Sequence, residues 1–139
     1  MNYLSLALAA LGGTVASFAF GFLSFWLVPG LGKEFRKYPA VFRPEKEMMK
    51  VMPLGFVASF MAILVAAILF AMIHQGGAKE GAIFGVLIGL FMVFAFVLHN
   101  YVNLRIGLKL ALGQAAAYFI QWTIVGIVIG LIYKPLVAP

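Results

Sequence analysis

Residues 51–78, Val-Met-Pro-Leu-Gly-Phe-Val-Ala-Ser-Phe-Met-Ala-Ile-Leu-Val-Ala-Ala-Ile-Leu-Phe-Ala-Met-Ile-His-Gln-Gly-Gly-Ala, contain no Asp, Glu, Lys or Arg. A helix needs about 20 apolar residues to cross the hydrocarbon core of a bilayer, whereas a buried strand seldom runs past about 10. This stretch therefore reads as a membrane span. Residues 1–32, 81–104 and 110–133 lack those four residue types as well. The expected fold is all-α, an integral membrane antiparallel four-helix bundle. It is read as one transmembrane domain over 1–139, with spans at 4–28, 51–73, 82–101 and 110–133 and a basic interfacial linker at 29–50.

Composition agrees. The 139 residues are 65 % hydrophobic and 10 % charged, with a mean hydropathy of +1.10. Soluble domains carry about a quarter charged residues, so a soluble core of this size has too little polar surface to cover the apolar remainder. The first stretch is too long for a signal peptide and lacks a basic start and a cleavage site with a polar sequel; it is expected to stay as the first span. With no cysteine, disulfides, thiolate nucleophiles and cysteine metal sites are excluded.

The net charge of +6 matters through its placement. Lys33, Arg36, Lys37, Arg43, Lys46 and Lys50 lie in the first linker, and Arg105 and Lys109 in the third; only Lys79 and Lys134 fall on the other side. The positive-inside rule puts the first and third linkers in the cytoplasm and both termini outside; the expected location is a bacterial cytoplasmic (inner) membrane. Lys33, Arg36, Lys37 and Arg43 are read as contacts to anionic lipid headgroups. Nucleic acid is not an expected partner, because no soluble domain would carry it.

The first span is expected to end at Pro29-Gly30, with Phe25 and Trp26 as interfacial aromatics. After Arg43, Pro44 suits the first position of a helix and Glu45 and Glu47 suit its positive end. That helix is expected to run into the second span, with Pro53 at the membrane entry or at a kink. His74 at the other end lacks partners for a metal site, so no metal or cofactor is expected.

Gly81, Gly85 and Gly89 recur every fourth residue on the third span, and Gly126 and Gly130 do so on the fourth. Such stripes let helix backbones approach closely, whether within the chain or between subunits. On the fourth span Gln114, Tyr118 and Gln121 share a face that is costly in hydrocarbon unless it meets protein or water. Across the short 103–109 linker, His99, Asn103 and Arg105 complete a polar stripe with them. Two roles compete for it: interhelical hydrogen-bond glue, or a vestibule binding an anionic or zwitterionic lipid or a small solute.

No catalytic residues are expected. The chain has no serine with a nearby histidine and acid, no His-Glu metal motif and no phosphate-cradling loop, and its four carboxylates sit near interfaces. The expected role is non-catalytic: a binding, stabilising or accessory membrane protein, contacting lipids and acting as a homo-oligomer or beside a larger partner. The alternative is a small oligomeric transporter or channel using the polar stripe.

The run Phe22-Leu-Ser-Phe-Trp26 followed by Gly32-Lys-Glu-Phe35, and Leu98-His-Asn-Tyr101 followed by Arg105, loosely resemble a bacterial family of small four-span membrane proteins of unknown function. In that family an aromatic pair ends the first helix before a Phe-Gly-Lys-like turn, and an Asn-Tyr pair ends the third. This chain has Gly-Leu-Gly-Lys in the turn and His99 before Asn100. The resemblance implies topology and no activity.

Overall fold

The computed structural model describes residues 1–27 and 30–136, with side chains for all of these except residues 25–27. The expected stop at Pro29 and the side chains of the aromatic anchors Phe25 and Trp26 lie outside the described set. Four long helices carry the fold: α1 (Tyr3–Leu27), α3 (Glu45–Ile73), α4 (Ala78–Asn103) and α5 (Leu108–Ile132). A short helix, α2 (Leu31–Arg36), lies in the first linker, where hydrophobic periodicity gave no warning of one. Each long helix is apolar and long enough to cross a membrane, so the chain is an all-α four-helix membrane bundle.

α3 starts at Glu45, with Pro44 before it in extended backbone and Glu45 and Glu47 in its first turn. Its 29 residues make a helix of about 43 Å, longer than the roughly 30 Å hydrocarbon core. The charged segment from Glu45 to Lys50 accounts for about 9 Å of the excess, and Pro53 sits near the start of the apolar part.

α4 is not uniform. Val93–Leu98 form a π segment between α-helical stretches. At 3.6 residues per turn, positions four apart drift by about 40° each, so Met92 and Asn100 would stand about 80° apart. The wider i→i+5 turn removes much of that drift and keeps Met92, Phe96 and Asn100 on one face.

Packing is tightest between α4 and α5, which run antiparallel. A Cβ added at Gly81 would collide with the Gly126 carbonyl oxygen, and one at Gly85 would come within 2.8 Å of Thr123 Cα. The two glycine stripes thus meet each other inside one chain. They lend no support to self-association.

α5 packs in turn on α1, and α1 on α3. The core of these contacts lies toward the end that carries the termini, where Ala9, Ala10, Ile63, Ala67, Phe70, Val125 and Ile129 are buried. At that end Ser5 Oγ donates to the Ile132 carbonyl (3.1 Å) and accepts from the Lys134 N–H (2.7 Å). The Gly77 N–H donates to the Gly130 carbonyl at 2.7 Å. The termini and the 74–77 turn therefore share one end, and the basic linkers occupy the other.

Candidate functional site

At the basic end the linkers build a small roof. Leu31, Ile106 and Leu110 are buried against one another, with Phe35, Tyr38, Val41 and Phe42 packed around them. Tyr38 Oη accepts the Gly107 N–H at 2.8 Å. Glu34, 7 % exposed, holds Lys37 Nζ at 2.7 Å and Lys109 Nζ at 3.3 Å. One carboxylate thus ties α2 to the start of α5. Lys109 is 75 residues from Glu34 in sequence, so no local pattern announces the pair.

The hydrogen bond from Lys37 is the main cause holding the Glu34 carboxyl below its ordinary 4.5. Partial burial opposes this, and Lys109 reinforces it. The same hydrogen bond raises Lys37 above its ordinary 10.5. A depressed acid stabilises the fold above its unfolded value and loses that contribution as pH falls through its folded value. A raised base contributes fully below its unfolded value and loses the contribution as pH rises through its folded one. The tie is therefore complete between 4.5 and 10.5. A spin label on Ala40→Cys, the only thiol in this chain, is expected to become severalfold more mobile as pH falls below 4.5, and Glu34→Gln to be mobile already at neutral pH. Equal mobility in both proteins at neutral pH would exclude the tie.

Beneath the roof lies a cavity of about 330 Å³, within the roughly 300–1,000 Å³ typical of small-molecule sites. Leu31, Phe35 and Phe42 form its top, and Gly21 and Ser24 of α1 form one side. Phe96 and Asn100 of α4, with Leu104 just after it, face Gln114, Ala117, Tyr118 and Gln121 of α5. No charged side chain lines it. The Tyr118 ring meets Phe96 edge-on, with centroids 5.4 Å apart.

The expected stripe divides here. Gln114, Tyr118 and Gln121 face the cavity together. His99 and Asn103 do share a helix face, and Asn103 Nδ2 donates to the His99 carbonyl at 2.9 Å, but both are exposed and lie outside the lining. Arg105 is exposed too. The π segment is the reason, since the register it sets presents Asn100 to the cavity and turns His99 away. Gln121 is tied across to α1, with Nε2 donating to Ser17 Oγ at 2.6 Å. The amides of Asn100 and Gln114, in contrast, make no hydrogen bond to any described residue. Lys33, Arg36, Lys37 and Arg43 are all exposed around the roof.

A second cavity of about 310 Å³ lies deeper, toward the middle of the bundle. Ala58, Ser59, Ala62 and Ile63 of α3 and Met92 of α4 form its walls, and Ser17, Tyr118, Gln121 and Trp122 its floor. Among the described residues no three His, Asp or Glu side chains gather in one place. The chemistry on offer is that of amides, hydroxyls and a phenol amid aromatic and aliphatic walls.

Four apolar membrane-length helices around an uncharged cavity define a multi-pass α-helical membrane protein. The family model described as Protein of unknown function (DUF1761) matches residues 8–130, and the chain belongs to that family. No curated protein and no solved structure matches the chain.

Proposed function

We propose that this protein is a non-catalytic binding protein of the membrane, whose roofed cavity takes a small, uncharged, amphipathic molecule. The observation that carries this reading is the pair of amides, Asn100 and Gln114, that line the cavity without a hydrogen bond to any described residue. At membrane depth a polar group without a partner is costly, and a ligand with its own donors and acceptors meets that need. Charged ligands fit poorly, because the lining offers no counter-charge; the exposed Arg105 and His99 do not reach in.

The test is native mass spectrometry of the protein extracted with its own lipid. Wild type is expected to retain a discrete non-covalent adduct that the Asn100→Leu, Gln114→Leu double variant loses, with ordinary phospholipid adducts unchanged. The same adduct on both proteins, or none on either, would sink the reading.

The proposal includes an orientation, with the basic roof in the cytoplasm of a bacterial inner membrane and both termini outside. Single cysteines at residues 40 and 135 are then labelled by an impermeant thiol reagent from opposite sides in intact cells, and labelling from the same side contradicts it. It includes action beside a larger membrane protein or as an oligomer, which the small size of the chain favours.

A further inference from the structure

The two cavities follow one another down the bundle. The lining passes from Leu104, just after α4, through Asn100 and Phe96 to Met92 of α4, and on α5 from Gln114 to Trp122. Tyr118 and Gln121 line both volumes, so the two abut at these side chains. Their chemistry differs. The upper holds the two amides that make no hydrogen bond to a described residue, and the lower is walled on one side by small residues of α3, Ala58, Ser59 and Ala62. α3 meets α4 through Phe70 and Phe84 near the terminus end, with ring centroids 5.4 Å apart; toward the basic end the lower cavity occupies the space between the two helices.

We propose that the two cavities form one site for a single-chain amphipath drawn from the bilayer, its uncharged hydroxyl-bearing head in the upper cavity and its acyl chain in the lower. This rests on the proposed function and adds the ligand's class and its bearing. The head has amide partners in Asn100 and Gln114. The chain passes the Tyr118 ring and lies along the small-residue wall of α3, at the depth where hydrocarbon is the surrounding solvent. Neither cavity lining includes a charged residue, which selects against phosphate-bearing lipids. Gln121 is held back by Ser17, so the amide beside the passage is already partnered when a chain goes by.

The probe is monopalmitoylglycerol carrying a photoreactive diazirine, at the chain end in one version and on the glycerol in the other. The full-length protein is placed in bilayers of phosphatidylethanolamine and phosphatidylglycerol, and labelled residues are mapped by mass spectrometry. The glycerol version is expected to label around Asn100 and Gln114, and the chain-end version Ala58 to Ile63. Excess unlabelled monopalmitoylglycerol should remove both labels while sparing lipid-facing Leu69 and Leu87. Ala62→Trp, which fills the lower cavity, should cut the chain-end label about tenfold. The competition in wild type stands even where that variant fails to fold. A competable glycerol label with chain-end label scattered over the lipid-facing helices would overturn the two-cavity site and leave the binding reading intact. Absence of any competable label in the upper cavity would overturn both.

Discussion

Gly126→Leu is expected to eliminate recovery of folded, monodisperse protein from the membrane. A Cβ at this position would strike the Gly81 carbonyl oxygen and lie 2.5 Å from Gly85 Cα and 2.7 Å from Gly85 N. All three are backbone atoms of α4, so no rotamer change makes room and the helices must separate. Overpacking costs about 1–3 kcal/mol where side chains can adjust, and about 3 kcal/mol or more is expected where they cannot. Against a total stability of roughly 5–15 kcal/mol, that is a large share.

The loss would reach the site as well, because α4 presents Phe96 and Asn100 to the Gln114, Tyr118 and Gln121 that α5 carries. Gly55→Ala is the matched control. Nothing lies within 4 Å of its added Cβ, and alanine in a helix interior is favoured over glycine by about 0.5–1 kcal/mol. Size-exclusion profiles and thermal melting in detergent read both variants. A Gly126→Leu protein that elutes and melts like wild type would show that α4 and α5 do not pack through these glycines.

What the sequence makes legible follows from how local each signal is. The four spans are written in runs of uncharged residues, and the start of α3 in Pro44, Glu45 and Glu47, because helix length and helix ends are local properties. The glycine stripes announce close approach but not the partner, since a stripe looks the same whether the facing helix belongs to this chain or another. Gln114, Tyr118 and Gln121 share a face by spacing alone, and the structure puts that face on a cavity. The opposite wall was not legible. Whether position 99 or position 100 looks inward depends on the π segment at Val93–Leu98, and Val-Phe-Ala-Phe-Val-Leu carries no mark distinguishing it from ordinary α-helix. The roof escaped notice for a different reason. Glu34 with Lys109 and Tyr38 with Gly107 join two linkers far apart in sequence, and contacts of that kind leave no periodic trace.

Phe70→Ala is expected to part α3 from α4 while α3 keeps its packing on α1. Phe70 has no exposed surface. It packs edge-on to Phe84 of α4 and to Tyr133 just after α5, with centroids 5.4 and 6.2 Å away, and its ring stacks on His74 at 4.9 Å. Because α3 and α4 are apart where the lower cavity lies, this cluster is what couples them. Truncating a buried phenylalanine costs about 3–5 kcal/mol in soluble cores. In a bilayer the low end of that range, about 3 kcal/mol, is the better expectation, because lipid tails replace the apolar surroundings and only packing is lost. Spin labels on Val57→Cys of α3 and Ala95→Cys of α4, introduced into a chain with no native cysteine, report the separation across the lower cavity. Wild type should give one narrow distance distribution, and Phe70→Ala a broad one shifted to longer values. Phe70→Leu, which keeps most of the volume, should stay near wild type. If the alanine variant keeps the narrow distance, the position of α3 is set by α1 alone, through contacts such as Phe18 with Phe56 at 4.3 Å. The width of the lower cavity would then depend on the α1–α3 contact and not on the aromatic cluster at the terminus end.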